Sequence, residues 1–393
     1  MRWVELDGLH PARLQSMQSA KVCYDAAHNA AAGRMSEAMK LHQAIVAVLS
    51  LTLSAMPVAA AELCVAKIAP PGFTAAVAAE RAPPVFPQTD ADDESEGWVR
   101  LGFTITAAGE TKDVAVLDQV GSRSMIKAAR QAVTRWTYKP ATQDGQAVEQ
   151  YGNAAEILYR AGHVGNTLVH DNVVVKYDEG RALVAAGKYA EGVAVLEQAF
   201  TLPLTLYEQA KLSFALAFAH EKSKDLPRAL GHIRHAVIEG GTFLEKAVVP
   251  SAQRMRLRLE VANGNYQYAA CAAPLPATDT FDPTGADRKE TMRIVEEAMK
   301  KLASPEPLVV DATLTAKPGK DGGGIWEHPL SRRKFRFASF SGQVQEFELS
   351  CVKQQTQSRV DAAAEWTVPA NAGPCTLRVS GEARTTLKLV EEW

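Results

Sequence analysis

Neither sign of charge dominates this chain: 43 Lys and Arg stand against 45 Asp and Glu. Without a basic field there is no electrostatic footprint for nucleic acid, and no acidic tail is present either. Catalytic signatures are missing as well. The chain has no G-x-S-x-G, and none of its five cysteines sits in a nucleophile context. Gly322-Gly323-Gly324 lacks the Lys-Ser/Thr that a phosphate cradle requires, so it reads as a flexible turn. His232 and His235 lie at i and i+3 on a predicted helix, with His220 near in sequence but no third ligand at metal spacing, so they read as a solvated face. The acidic run Asp90, Asp92, Asp93, Glu94 and Glu96 has no calcium-loop spacing and reads as a solvated loop. These absences point away from an enzyme and from any cofactor or metal, and toward a binding protein. Past residue 61 no apolar run is long enough to span a membrane.

What is present begins with an export signal. Lys40 supplies a charged start, Ala44 to Met56 an apolar run, and Ala59-Ala60-Ala61 the small residues before Glu62. That order is the one signal peptidase reads, so residues 39–61 form the predicted signal peptide, cleaved between Ala61 and Glu62. Residues 1–38 are then an upstream segment, and translation starts at Met39. The alternative is an uncleaved membrane anchor, for which the apolar core falls short of the roughly 20 residues a spanning helix needs. Glu62-Leu63 before Cys64 does not fit a lipid-attachment box. The predicted location is the periplasm, with the protein membrane-anchored if the signal is not cleaved. In that oxidising compartment Cys64, Cys271, Cys351 and Cys375 make an even set. Cys351 and Cys375 lie in one β-rich segment and are the predicted disulfide; Cys64 and Cys271 are the remaining combination.

The mature length calls for more than one domain, and the pattern predicts an α+β multidomain chain in three parts after a lead-in at 62–82. In residues 83–163, Val99, Leu101, Phe103 and Ile105 alternate along a half-buried strand. A turn at Gly109 leads to a second strand through Val114 and Val116. Ser122 caps a helix to about Arg135, and a closing strand runs from Ala154 to Tyr159. Residues 172–303 read as helical. Gly187-Lys188-Tyr189-Ala190, Lys224-Asp225-Leu226-Pro227 and Gly264-Asn265-Tyr266-Gln267 mark recurring inter-helix turns, and an amphipathic helix from Asp287 to Leu302 caps the set. Residues 308–393 read as short strands with turns at Ser341-Gly342, Asn371 to Pro374 and Gly381, the pattern of a small β-sandwich.

Two resemblances follow from these landmarks. Pro83-Pro84-Val85-Phe86-Pro87, Glu96-Gly97, Gly109, Trp136-Thr137-Tyr138-Lys139-Pro140, Gly145 and the closing strand occur in the order found in the C-terminal domain of TonB-type energy transducers. That resemblance implies a small ββαβ domain covering about 75 residues. It also implies a partner: an extended segment of an outer-membrane receptor, or of another envelope protein, adding to the open edge of the sheet by β-augmentation. The edge strand so implied is Asn153, Ala154, Ala155, Glu156, Ile157, Leu158 and Tyr159. The helical turns resemble tetratricopeptide repeats. The transducers also carry an N-terminal anchor whose Ser and His face inner-membrane motor proteins. Here His42 precedes Ser50 and Ser54, an order that does not match, and the lead-in can extend only about 70 Å. The expected function is therefore non-enzymatic segment binding. A periplasmic scaffold built on the helical repeats, with the closing strand covered by them, is the alternative.

Overall fold

Alternation along β4 (Gly97–Ile105) builds the first domain outward from its sheet. Val99, Leu101, Phe103 and Ile105 are buried on one face beneath α2 (Arg123–Val133), together with Met125, Ala129 and Val133 of that helix. The computed structural model describes residues 5–6, 69–161, 169–272, 286–316 and 323–393. The signal segment, its cleavage point at Ala61 and Glu62, and Cys64 lie outside the described residues. β4 pairs on one side with β5 (Thr111–Val120) and on the other with β9 (Gln150–Tyr159), both antiparallel. A two-residue strand, β1 (Glu5–Leu6), lies outside β9, giving the sheet order β1-β9-β4-β5.

Ser122 caps α2 as the sequence predicts, its Oγ accepting from Met125 N at 3.2 Å. Trp136 and Tyr138 plug the end of this core against Phe103, with ring centroids 6.3 and 5.9 Å away. Gly109 has φ 86°, and a Cβ there would sit 2.0 Å from the Tyr138 carbonyl oxygen. Only glycine lets the hairpin turn close onto that strand. The described part of the lead-in, residues 69–82, contributes two short paired strands. β2 (Phe73–Thr74) joins β7 (Ala141–Gln143), whose other neighbour is β8 (Gln146–Val148), and β3 (Val77–Glu80) joins β6 (Thr137–Lys139). A short helix, α1 (Gln88–Asp92), leads into β4.

Three helix pairs follow: α3 (Asp171–Ala185) with α4 (Tyr189–Ala199), α5 (Leu206–Lys222) with α6 (Leu226–Ala236), and α7 (Val249–Ala262) with α8 (Tyr266–Ala272). In each pair the turn carries one residue of left-handed backbone at the same place: Gly187 (φ 78°), Lys224 (φ 64°) and Gly264 (φ 78°). Tyr189, Leu226 and Tyr266, the residues that mark the recurrence in the sequence, each open the second helix of a pair. α9 (Ala286–Ala303) packs Ile294, Val295 and Ala298 onto Leu257 and Ala269.

The C-terminal domain consists of two antiparallel sheets around one apolar core. One has the order β10 (Leu308–Thr313), β18 (Thr386–Glu392), β13 (Lys334–Ser341), β16 (Glu365–Thr367). The other runs β11 (Thr315–Ala316), β12 (Gly323–Pro329), β17 (Cys375–Glu382), β14 (Val344–Cys351), β15 (Gln355–Arg359). Phe335, Phe337, Phe347, Leu377 and Leu389 fill the space between them. Cys351 and Cys375 face each other in register and form the predicted disulfide. Cys271 is disulfide-bonded as well. Gly323 and Gly324 open a strand instead of forming a turn: a Cβ on Gly324 would meet Ala383 Cα and Leu314 Cβ, both at 2.8 Å, so the glycine serves close approach.

The three domains touch in turn. Trp98, Val120 and Leu158 of the first sheet share a core with Leu206, Ala210 and Ile233 of the helices. A Cβ on Gly264 would lie 2.5 Å from Val310 of the last domain. Tyr151 N of β9 donates to the Val352 carbonyl of the last domain at 3.0 Å.

Candidate peptide-binding edge

β9 presents two different rows of side chains and one outer edge. Ala155, Ile157 and Tyr159 are buried toward α2, and the Tyr159 hydroxyl donates to the Met125 carbonyl at 2.8 Å. Burial raises the pKa of that phenol well above its ordinary value, so it stays protonated. On the opposite row Leu158 is buried against the helices, while Glu156 accepts from Trp98 Nε1 at 3.2 Å and lies 3.9 Å from Arg100 Nε. Asn153 donates to the Phe103 and Gln150 carbonyls, pinning the start of the strand to β4. The seven residues from Asn153 to Tyr159 are thus held on the inner side by β4, with Ala155, Ile157, Leu158 and Tyr159 buried, Asn153 and Glu156 half-buried and Ala154 exposed.

The outer edge is partly taken. Glu5 pairs with Ile157 and Leu6 with Glu156, so a strand of the same chain lies antiparallel on it. Tyr151 is bound to the C-terminal domain, and from Gly152 to Ala155 no outer strand partner occurs among the described residues. The helices do not cover this edge with a strand; they cover the face beside it.

The other edge of the sheet is built differently. β5 contains Asp113 in left-handed backbone (φ 55°), and ladder shifts break its register with β4. Such irregularity and charge discourage pairing. Lys112 bonds Glu149 at 2.6 Å, which raises the lysine pKa and lowers that of the glutamate.

The junction between sheet and helices corrects two sequence expectations. The acidic run is not a solvated loop throughout, because Asp90 and Glu96 are both buried. Glu96 accepts from Leu206 N at 2.9 Å and Ala161 N at 3.0 Å, so its carboxylate serves the N-terminus of α5, where helix N–H groups lack intrahelical partners. His232 and His235 do not form a solvated face either. His235 Nε2 bonds Asp118 at 2.8 Å, and its ring lies 6.3 Å from Trp98. Burial opposes both charges of that pair, yet the mutual attraction outweighs it: the His235 pKa is raised and that of Asp118 lowered. His232 stacks on His220 with centroids 5.3 Å apart. Among the described residues no cluster of histidine, cysteine and carboxylate side chains is arranged to hold a metal, and no helix is long and apolar enough to cross a membrane. Trp98, Val120 and Leu158 carried the missed signal, since they place apolar residues on both faces at one end of the sheet.

Comparison with known proteins finds likenesses for this region. Residues 82–160 match the family model described as Gram-negative bacterial TonB protein C-terminal. Protein TonB of Pseudomonas aeruginosa is 38% identical over 66 residues, which are 17% of this chain and 19% of that protein. The chain therefore spans about a fifth of the length of this curated relative. Among solved structures, the C-terminal domain of Pseudomonas aeruginosa TonB is 26% identical, with 24% of this chain and 91% of that one covered, at a TM-score of 0.21. The TonB2 protein of Vibrio anguillarum is 34% identical, with 22% and 81% covered, at a TM-score of 0.19. Residues 82–160 thus resemble the TonB C-terminal domain, in a longer chain whose helical and β-rich remainder lies beyond the match.

Proposed function

We propose that this protein is a non-enzymatic component of the cell envelope that binds extended segments of outer-membrane receptors, or of other envelope proteins, along the outer edge of β9. The observation that carries the reading is the antiparallel pairing of Glu5 and Leu6 with Ile157 and Glu156. It supports an edge that accepts a strand in this register. In a chain processed between Ala61 and Glu62 that strand is gone, and the edge from Gly152 to Tyr159 opens. Backbone hydrogen bonds would supply affinity, and alternate side chains selectivity. No energy-transducing step is part of the proposal.

The test is calorimetry of the processed chain, residues 62–393, against peptides from the N-terminal segments of outer-membrane receptors. The processed chain should bind them, residues 1–393 should bind more weakly, and a folded Ala155→Pro variant should bind poorly because proline disturbs the ladder. Absence of binding by the folded processed chain would reject the reading. It would favour the second one, a periplasmic scaffold in which the helices hold another protein. Val174 and Val175 on α3 and Phe218 on α5 support that alternative, being apolar and exposed.

A further inference from the structure

α2 carries its charge on one side and in one sign. Arg123, Lys127 and Arg130 stand at i, i+4 and i+7, so at 3.6 residues per turn they fall within about 60° of arc around the helix. All three are exposed, and Arg135 is exposed just past the C-cap residue, Thr134. Met125, Ala129 and Val133 lie on the other side of the helix and are buried against the sheet. Between Arg123 and Val133 there is no Asp or Glu. Among the described residues none of the four basic side chains makes a hydrogen bond or an ion pair.

This arrangement works against the helix. Like charges at i, i+4 repel, and Arg123 places a cation in the first turn, where the helix dipole favours an anion. Two other exposed helices avoid that cost by interleaving both signs. On α9 Arg293 pairs with Glu290 at 2.8 Å and with Glu297 at 3.4 Å, and on α3 Lys176 pairs with Glu179 at 3.4 Å. A row of cations that the fold leaves unneutralised is complementary to negative charge outside the molecule.

Shape and surroundings narrow the partner. The stripe is the convex outer side of a helix, and neither cavity at the domain junctions reaches it. α2 covers the face of the sheet opposite to the helical domain, so that domain does not stand in front of the stripe. An apolar side chain lies beside it. Residues 82–86 run along α2: Trp136 Nε1 donates to the Ala82 carbonyl at 2.9 Å beyond one end, and Phe86 packs edge-on to Tyr159, whose hydroxyl reaches the Met125 carbonyl near the other. Val85 on that run is 73% exposed. Cations flanked by an apolar side chain suit phospholipid, whose headgroups carry the charge and whose acyl boundary takes the carbon. An acidic protein segment would use the charge alone.

We propose that the outer side of α2 docks the first domain onto a bilayer surface bearing anionic phospholipid headgroups. The attachment is electrostatic and reversible, because the apolar side of α2 stays in the protein core. Its four cations match the size at which a basic cluster recognises such a surface. The stripe is distinct from the β9 edge, and its test uses no receptor peptide.

The experiment is co-sedimentation with vesicles of phosphatidylcholine made with or without phosphatidylglycerol. It uses the processed chain, residues 62–393, which keeps all three domains and lacks the apolar signal. At low salt the protein should pellet with the anionic vesicles and not with the neutral ones. At about 1 M salt, where the Debye length shrinks to about 3 Å, it should be released. Asp92 and Asp93 lie toward the N-terminal end of α2, where Ser124 bonds Asp90, so the variant is placed away from them. Lys127→Gln with Arg130→Gln should weaken binding by about 25-fold, at about fivefold per charge. Arg181→Gln with Lys188→Gln, the same charge change at exposed residues of α3 and of the turn after it, should bind like the unmodified protein. Both variants should keep the melting temperature, since all four side chains are exposed. Equal pelleting with both kinds of vesicle, or unchanged binding in the folded Lys127 and Arg130 variant, would overturn the proposal. An equal loss in the α3 control would overturn it too, because net charge and not the stripe would then be responsible. Binding to polyglutamate without binding to anionic vesicles would replace the bilayer by an acidic protein segment. Binding to neither would make the stripe a solvated face.

Discussion

The two faces of the β4-β5-β9 sheet are closed in different ways. The α2 face is closed locally, by Met125, Val133, Trp136 and Tyr138, all within the region that matches the TonB family. The opposite face is closed by residues from Leu206 onward, which lie outside that match, and it is studded with polar links: Glu96 to Leu206, Gln209 to Glu96, His235 to Asp118. The first face makes the domain; the second converts it from a unit that could stand alone into one wall of a larger body. The difference shows how a small sheet-and-helix unit can keep its own core while its outer surface is given over to the rest of the chain.

That contrast can be broken at three points. The largest effect belongs to the local face. Trp136→Ala removes a side chain that is 2% exposed and donates to the Ala82 carbonyl, and should cost about 3–5 kcal/mol in urea denaturation. A cost below about 1 kcal/mol would mean that this face does not carry the domain. Next comes the junction. Glu96→Ala leaves Leu206 N and Ala161 N without their acceptor and should cost about 2 kcal/mol, with faster amide exchange in the first turn of α5 and little change under α2. Faster exchange under α2 instead would show the two faces to be one cooperative unit.

The smallest effect depends on pH. His235 has a raised pKa, so its stabilisation is fully present below the unfolded value of 6.5 and is lost as pH rises through the raised value. Asp118 has a lowered pKa, so its share is present above the unfolded value of 3.8 and is lost as pH falls through the lowered value. Asp118→Asn should therefore cost about 1 kcal/mol at pH values between 3.8 and 6.5, and progressively less as pH rises through the raised value of His235. Melting curves across that range would decide it, and a cost that does not vary with pH would assign the side chain a packing role only.

How much of this was legible follows the same division. Trp136 and Tyr138 are recognisable as core plugs because the local run Trp-x-Tyr-x-Pro leaves them few alternatives. Cys351 and Cys375 are recognisable because both fall on strands of one short segment. The openings of α4, α6 and α8 are readable from Tyr189, Leu226 and Tyr266 because helical turns are set by near neighbours. Glu96 and His235 were not readable, since each is explained by a residue more than 100 positions away, Leu206 in one case and Asp118 in the other. A side chain's periodicity says which way it points along its own element; it carries nothing about what arrives from elsewhere. The occupied part of the β9 edge is of that kind, as its partner strand comes from the far end of the chain.

Tyr151 and Val352 have a consequence for how the molecule is held together. Their hydrogen bond joins the first domain to the last, while the helices already join both. The three domains therefore form a closed circuit instead of a string. In a circuit, each contact is made between groups that the other two contacts already hold close, so it forms at a high effective concentration and need be only weak in itself. Opening any one of the three leaves two hinges and no free domain, and the parted surfaces stay within reach of each other to re-form.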